Sequence, residues 1–367
     1  MNIGAIEARL QASGFTGRIL YPADLQLHDA TLQYDQFVAR DILAYKRHFG
    51  SDLNIDYVFI DSDFSNALCT CINGRYVIVV SISLVDMLWQ LSSLMFSLQN
   101  IDDIFDTDLL NAFNRSLIVD GMPKLTHETD SSFVTDRRKV LAVYTTRLSL
   151  IFLIGHEMAH IMNGHLAVDP KRLNAISENL VDVRDPNNIL RAMENDADLF
   201  AIYQLVGLVT EHQTSIFYTD IIADIETDPT KRLKCAILSV FMCLNLFDCL
   251  NPTSFETATT HPSHYDRASF AERFIEVCLD IMLRQKRSLA EIQSGDLTAL
   301  VVFARISTLR IAVRDLDFAT ISLSLKSGKV SSENNERLIA WRALGTMLQR
   351  VHLCDPDVSD KIRSVYS

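Results

Sequence analysis

Residues 150–165 read Leu-Ile-Phe-Leu-Ile-Gly-His-Glu-Met-Ala-His-Ile-Met-Asn-Gly-His, an apolar run followed from residue 156 on by three histidines. On an α-helix, positions four apart are turned by about 40° and separated by about 6 Å along the axis, so His156 and His160 project from one face. That face can hold one metal ion. Glu157 lies roughly 100° round from His156, close enough to reach a water on that ion without being a ligand itself. Zinc hydrolysis needs this division of labour: neutral ring nitrogens hold the cation, the cation lowers the pKa of its water, and a carboxylate takes the proton. The competing interpretation is a core helix with two satisfied histidines, and it weakens once the rest of the chain supplies what the motif lacks.

Two histidines leave a zinc site incomplete. After the Asp185-Pro-Asn-Asn188 punctuation, a second amphipathic helix carries Glu194-Asn-Asp-Ala-Asp198. Glu194 and Asp198 share a face, and Ala197 is small enough for two helices to approach. Glu194 is assigned as third ligand. Asp198 then accepts a hydrogen bond from the outward nitrogen of a ligating histidine and fixes its tautomer. The rival third ligand is His165, which on a continued helix would point about 140° away from His160. A third constellation, Thr260-His-Pro-Ser-His-Tyr-Asp-Arg267, sets His261 at an extended corner before a helix. Over a zinc site, His261 and Arg267 would stabilise a developing oxyanion.

The chain of 367 residues is long enough for one large domain or a catalytic domain with helical extensions. Its net charge of −12, without a basic patch beyond short pairs such as Arg137-Arg138, argues against nucleic acid as a partner. Seven cysteines, odd in number and irregularly spaced, read as free thiols of a reducing, cytoplasmic setting. Cys69-Thr-Cys71 has no second pair and reads as strand. No signal peptide is visible at the N-terminus. Tyr76–Leu98 changes character within itself and Cys235–Leu250 is short of the ~20 residues of a membrane span, so both read as buried core and membrane association is disfavoured.

Taken in order, residues 1–53 read as a helical lead-in, with apolar spacing over Tyr34–His48. Ile55, Tyr57 and Phe59 alternate as in a strand ended by Asp61-Ser62-Asp63, and Asn73-Gly74 between two β-rich runs marks a hairpin. A small antiparallel sheet is therefore expected beside the metal helix. Leu84–Leu98 and Ile101–Phe113 read as helices, Asp120–Asp136 as a connecting loop, and Asn163-Gly164 as the stop of the metal helix. The remainder, 276–367, reads as a helical extension that supports the core. The class is α+β and mostly helical, with a core over residues 54–275.

Together these motifs resemble the gluzincin metallopeptidases: His156-Glu-x-x-His160 with His165 five on, Glu194-x-x-Ala-Asp198, Thr260-His-Pro-Ser-x-x-x-Arg267, and Asn66-Ala67 upstream with a hairpin. The closest group is that of the CAAX prenyl proteases, the bacterial heat-shock membrane protease and their soluble minimal relatives. The resemblance implies a zincin-like core, Zn2+ on His156, His160 and Glu194, Glu157 as general base, and His261 and Arg267 near the scissile carbonyl. It also implies a sheet edge, headed by Asn66 and Ala67, on which a protein or peptide substrate pairs. A looser likeness is to phage-exclusion peptidases of the Lit type, which implies a protease kept latent until a signal arrives. The expected function is a soluble zinc endopeptidase. The alternatives are a regulatory or binding protein that retains the metal site and acts through its helical extension, and a purely structural metal site.

Overall fold

The computed structural model describes residues 3–12, 17–20, 29–49, 54–62, 66–96, 135–167, 187–211 and 222–250, together with Arg267, Ala271, Phe274 and Ile275. The helix expected over Ile101–Phe113, all but the end of the Asp120–Asp136 loop, the His261 corner and the extension after residue 275 lie outside them. In order come α1 (Ile3–Ala12), β1 (Gly17–Leu20), α2 (Asp29–Phe49), β2 (Ile55–Ser62), β3 (Ala67–Ile72), β4 (Arg75–Ser81) and α3 (Ile82–Phe96). Then follow α4 (Asp136–Met162), a 3-10 turn (His165–Ala167), α5 (Asn187–Glu211), α6 (Ala223–Glu226) and α7 (Pro229–Leu250). The class is α+β and mostly helical.

Among the described residues there is one sheet, of order β1-β2-β4-β3. It is mixed, which corrects the expectation of an antiparallel sheet: β1 with β2 and β3 with β4 are antiparallel, but β2 and β4 run parallel. The reason lies in β4. Val77, Ile78, Val79 and Val80 are all buried to 1% exposure or less, so both faces of this strand are covered and it takes an inner place. Ile78 and Val80 face the helical core, whereas Val77 and Val79 pack with Ile6 and Leu10 of α1 on the other side. The β3–β4 hairpin turns at Asn73 (φ 51°) and Gly74 (φ 76°), the paired left-handed conformations that match the twist of two antiparallel strands. A second correction concerns Gly17–Leu20, inside the stretch read as helical, which pairs as a strand with Phe59–Ser62. Four residues are too few to display alternation in sequence.

The long helix α4 runs through the middle of the molecule, against α5, α3, α7 and α2, and touches β3 and β4. Thr135 caps its start by accepting from the Arg138 amide at 3.3 Å. At its end Asn163 N–H donates to Ala159 O, and Gly164, at φ 74°, turns the chain out of the helix. By length and composition α4 could cross a membrane, but 89% of its most apolar window is enclosed by the fold, as in a core helix. Its buried polar groups are tied to the neighbours: Thr146 Oγ1 donates to Ser92 of α3 at 3.0 Å and Ser239 of α7 donates to Thr145 O at 3.1 Å. Arg147, buried, pairs with Asp41 of α2.

Candidate metal centre

The second half of α4 and the first half of α5 converge on one point. Nε2 of His156 lies 3.1 Å from Nε2 of His160, and the two carboxylate oxygens of Glu194 lie 3.5 Å from one and the other. Around a tetrahedral zinc with bonds of about 2.0–2.1 Å, any two donors stand about 3.3–3.4 Å apart. The ring-to-ring distance and the two ring-to-carboxylate distances, which run to different oxygens of Glu194, lie near that spacing. His156, His160 and Glu194 are accordingly a group that could hold a metal ion, and their chemistry, two imidazoles and one carboxylate, suits a borderline cation such as zinc.

Behind each imidazole stands a partner for its outward nitrogen. Asp198 Oδ1 lies 2.9 Å from His156 Nδ1, and Arg267 grips the same carboxylate with two donors, Nε to Oδ2 at 2.7 Å and Nη2 to Oδ1 at 2.6 Å. Behind His160, Nδ1 meets Nδ1 of His165 at 2.9 Å. His165 is therefore turned to the far side of the His160 ring and is not a corner of the triangle. Asn66 precedes β3 and Ala67 begins it, Asn66 Oδ1 accepting from the Ala67 amide at 2.9 Å. His261 is outside the described residues.

Burial sets the protonation states. His160 is held down to about 3, mainly because its burial disfavours the cation. Burial is also the largest single influence on His156, yet Asp198 and Glu194 together outweigh it and push the group up to about 10. The field at that nitrogen favours positive charge, which a divalent cation can supply in place of the proton. The Glu157 carboxyl is raised by burial against the opposing pull of His156, and a raised carboxylate is a stronger base. Asp198 is buried too, but the charge and hydrogen bonds of Arg267 more than offset the desolvation and hold it below the usual carboxylate range.

Two features escaped the sequence reading. Cys69, an ordinary strand residue in sequence, turns its thiol to a hydrogen bond with Glu157, and burial first and that carboxylate second raise it well above the usual thiol range. Only the strand alternation that aims residue 69 at the helix side could have hinted at this. Asp196 was also missed: its Oδ2 lies 3.1 Å from His165 Nε2 and accepts from Asn163 Nδ2 at 2.7 Å.

A buried carboxylate beside a group able to hold a metal, reached from one long core helix and its neighbour, is an arrangement suited to hydrolysis. Residues 108–276 match the model of the family Peptidase U49, a Lit-like peptidase family, and the match supports a peptidase assignment. Neither the curated proteins nor the solved structures gave a match. A peptidase acts on protein or peptide substrates.

Proposed function

We propose that this chain is a soluble, cytoplasmic zinc endopeptidase of the gluzincin type. The observation that carries the reading is the donor triangle of His156, His160 and Glu194 with buried Glu157 alongside, in a chain whose middle matches a peptidase family. Zinc, when bound, supplies the Lewis acidity that makes water a competent nucleophile near neutral pH. Glu157 takes the proton of the attacking water and passes it to the departing amine nitrogen, a task for which its burial-raised basicity fits it. Asp198 holds the His156 ring through Nδ1, so that Nε2 is the nitrogen offered to the cation, and Arg267 fixes Asp198 from behind. His261, six residues before Arg267 in sequence, is assigned to the developing oxyanion.

The substrate is an extended peptide laid along β3. Among the described residues β3 is the outermost strand on its side of the sheet, and it touches α4. Ser81 N–H donates to Asn66 O, so by antiparallel alternation the backbone groups of Ala67, Cys69 and Cys71 face outward. Asn66 already occupies the Ala67 amide, which leaves Cys69 and Cys71 to pair with an incoming strand. The free thiols of Cys69, Cys71, Cys235 and Cys243 suit a reducing compartment.

The test compares wild type with Glu157→Gln for zinc content and for cleavage of unstructured protein substrates. Zinc retained with cleavage reduced by about 10²–10⁴-fold is expected when a general base is lost. Cleavage unchanged in Glu157→Gln removes the mechanism, and a wild type that takes up no zinc removes the metal.

A further inference from the structure

We infer that His165 and Asp196 form a positioning relay that fixes the tautomer and orientation of the second histidine of the metal site. The inference rests on the zinc reading above and concerns residues that reading does not use. His160 offers Nε2 to the centre, since that atom lies 3.1 Å from His156 Nε2 and 3.5 Å from Glu194. Its other nitrogen, Nδ1, faces His165 Nδ1 at 2.9 Å, and His165 Nε2 faces Asp196 Oδ2 at 3.1 Å.

Two nitrogens at hydrogen-bond distance need one proton between them, and a carboxylate needs a donor. A neutral His160 that gives the Nε2 lone pair to a cation carries its proton on Nδ1 and donates it to His165. His165 must then accept on Nδ1 and carry its own proton on Nε2, which is the nitrogen that meets Asp196. One assignment satisfies every contact in the series Asp196, His165, His160.

The parts are built to hold still. His165 is 3% exposed, Asn163 at the end of α4 donates to the same Asp196 oxygen at 2.7 Å, and Gly164 at φ 74° supplies the reversal that brings residue 165 back against the helix. The arrangement parallels the one behind His156, where Asp198 meets Nδ1 directly. In that place a carboxylate alone spans the gap; behind His160 the carboxylate reaches the ring through a second imidazole.

The experiment measures zinc affinity by competition with a chromophoric chelator for wild type, His165→Phe and His165→Asn, alongside thermal melts. Loss of such a partner lowers metal affinity by about 10–100-fold. His165→Phe, which keeps a ring but no nitrogen, is expected to fall by that amount. His165→Asn, whose amide oxygen can stand where Nδ1 stood, is expected to recover most of it. A stability role alone moves the melts of both and separates neither affinity. Histidine-selective nitrogen NMR of the zinc-loaded wild type should show the Nε2–H tautomer at His165 and Nδ1–H at His160, a signature available even if His165→Phe fails to fold. Equal zinc affinity in wild type and His165→Phe, or an Nδ1–H tautomer at His165, overturns the relay while leaving the zinc reading intact. A wild type that binds no zinc, by contrast, sinks both.

Discussion

The ion pair between Arg147 and Asp41 predicts an asymmetric response to losing either partner. Arg147 lies nine residues before His156, about 14 Å along α4 at 1.5 Å per residue, with its side chain 1% exposed; Asp41, on α2, is 13% exposed. Burial raises the Asp41 carboxyl more than the neighbouring guanidinium lowers it, so the pair does not fully offset the carboxylate's desolvation. Asp41→Leu removes the carboxylate facing a guanidinium that cannot shed its proton, and breaking a buried pair from this side costs about 3–5 kcal/mol. At roughly 2–4 °C per kcal/mol for domains of this size, the melting midpoint falls by about 6–20 °C. Arg147→Met leaves instead a carboxyl that can neutralise itself.

The sign of its pH dependence follows: a carboxyl whose folded pKa stands above the ordinary 3.8 favours the folded state when protonated. Its penalty is therefore largest at neutral pH and fades as the pH falls through the raised value toward 3.8. The deficit of Arg147→Met should shrink as the pH is lowered from neutral toward 3.8, whereas that of Asp41→Leu should not. The apolar double variant should return to within about 1 kcal/mol of wild type. Thermal and urea unfolding followed by circular dichroism across that pH range checks this. Asp41→Leu as stable as wild type, or a double variant worse than either single one, refutes the reasoning.

A Cβ at Gly155 would stand 2.8 Å from Tyr45 Oη and 3.2 Å from Ala201 Cα. Gly155→Ala is therefore expected to cost about 1–3 kcal/mol by overpacking; adding Tyr45→Phe should recover part of it, because Ala201 remains, and a double-mutant cycle with no coupling would contradict the contact. Of the four described cysteines, exposed Cys71 should be modified first by iodoacetamide near neutral pH. Burial raises Cys69 and Cys235, and pushes Cys243 up to about 12, so these three should label only on unfolding. Peptide mass spectrometry showing Cys69 to react as fast as Cys71 would count against its contact with Glu157.

Where periodicity and turn chemistry are local, the sequence carried its structure openly. The Asn73-Gly74 hairpin, the end of α4 at Asn163-Gly164 and the shared face of His156 and His160 each depend on residues within a few positions of one another. Strand order does not. Nothing local tells β4 to lie parallel to β2, although its unbroken run of four buried apolar residues marks it as an inner strand. Arg267, expected near a scissile carbonyl, sets Nε and Nη2 on Asp198, a contact 69 residues away in sequence that no local pattern announces. His165 was weighed only as a ligand or as a side chain pointing away, because a continued helix allows nothing else. The chain instead reverses at Gly164, and helical geometry ceases to apply one residue before the histidine.

Charge balance ties these observations together. Among the described residues, Glu157, Glu194 and Asp198 bring three carboxyl groups into a space they share with the guanidinium of Arg267, while burial keeps His160 neutral. Like carboxylates crowd each other there: the charge of Glu194 is among the influences that raise Glu157. Apolar helices pressed as closely as α4 and α5 do not gather carboxylates at their contact without something to offset the desolvation. A proton on His156 offsets part of this charge: against its burial, Asp198 and Glu194 raise that imidazole to about 10. A divalent cation would offset that crowding from a single point, between the two rings and Glu194. Docking α5 on α4, at the close approach of Gly155 to Ala201, is also what brings Glu194 to His156 and His160.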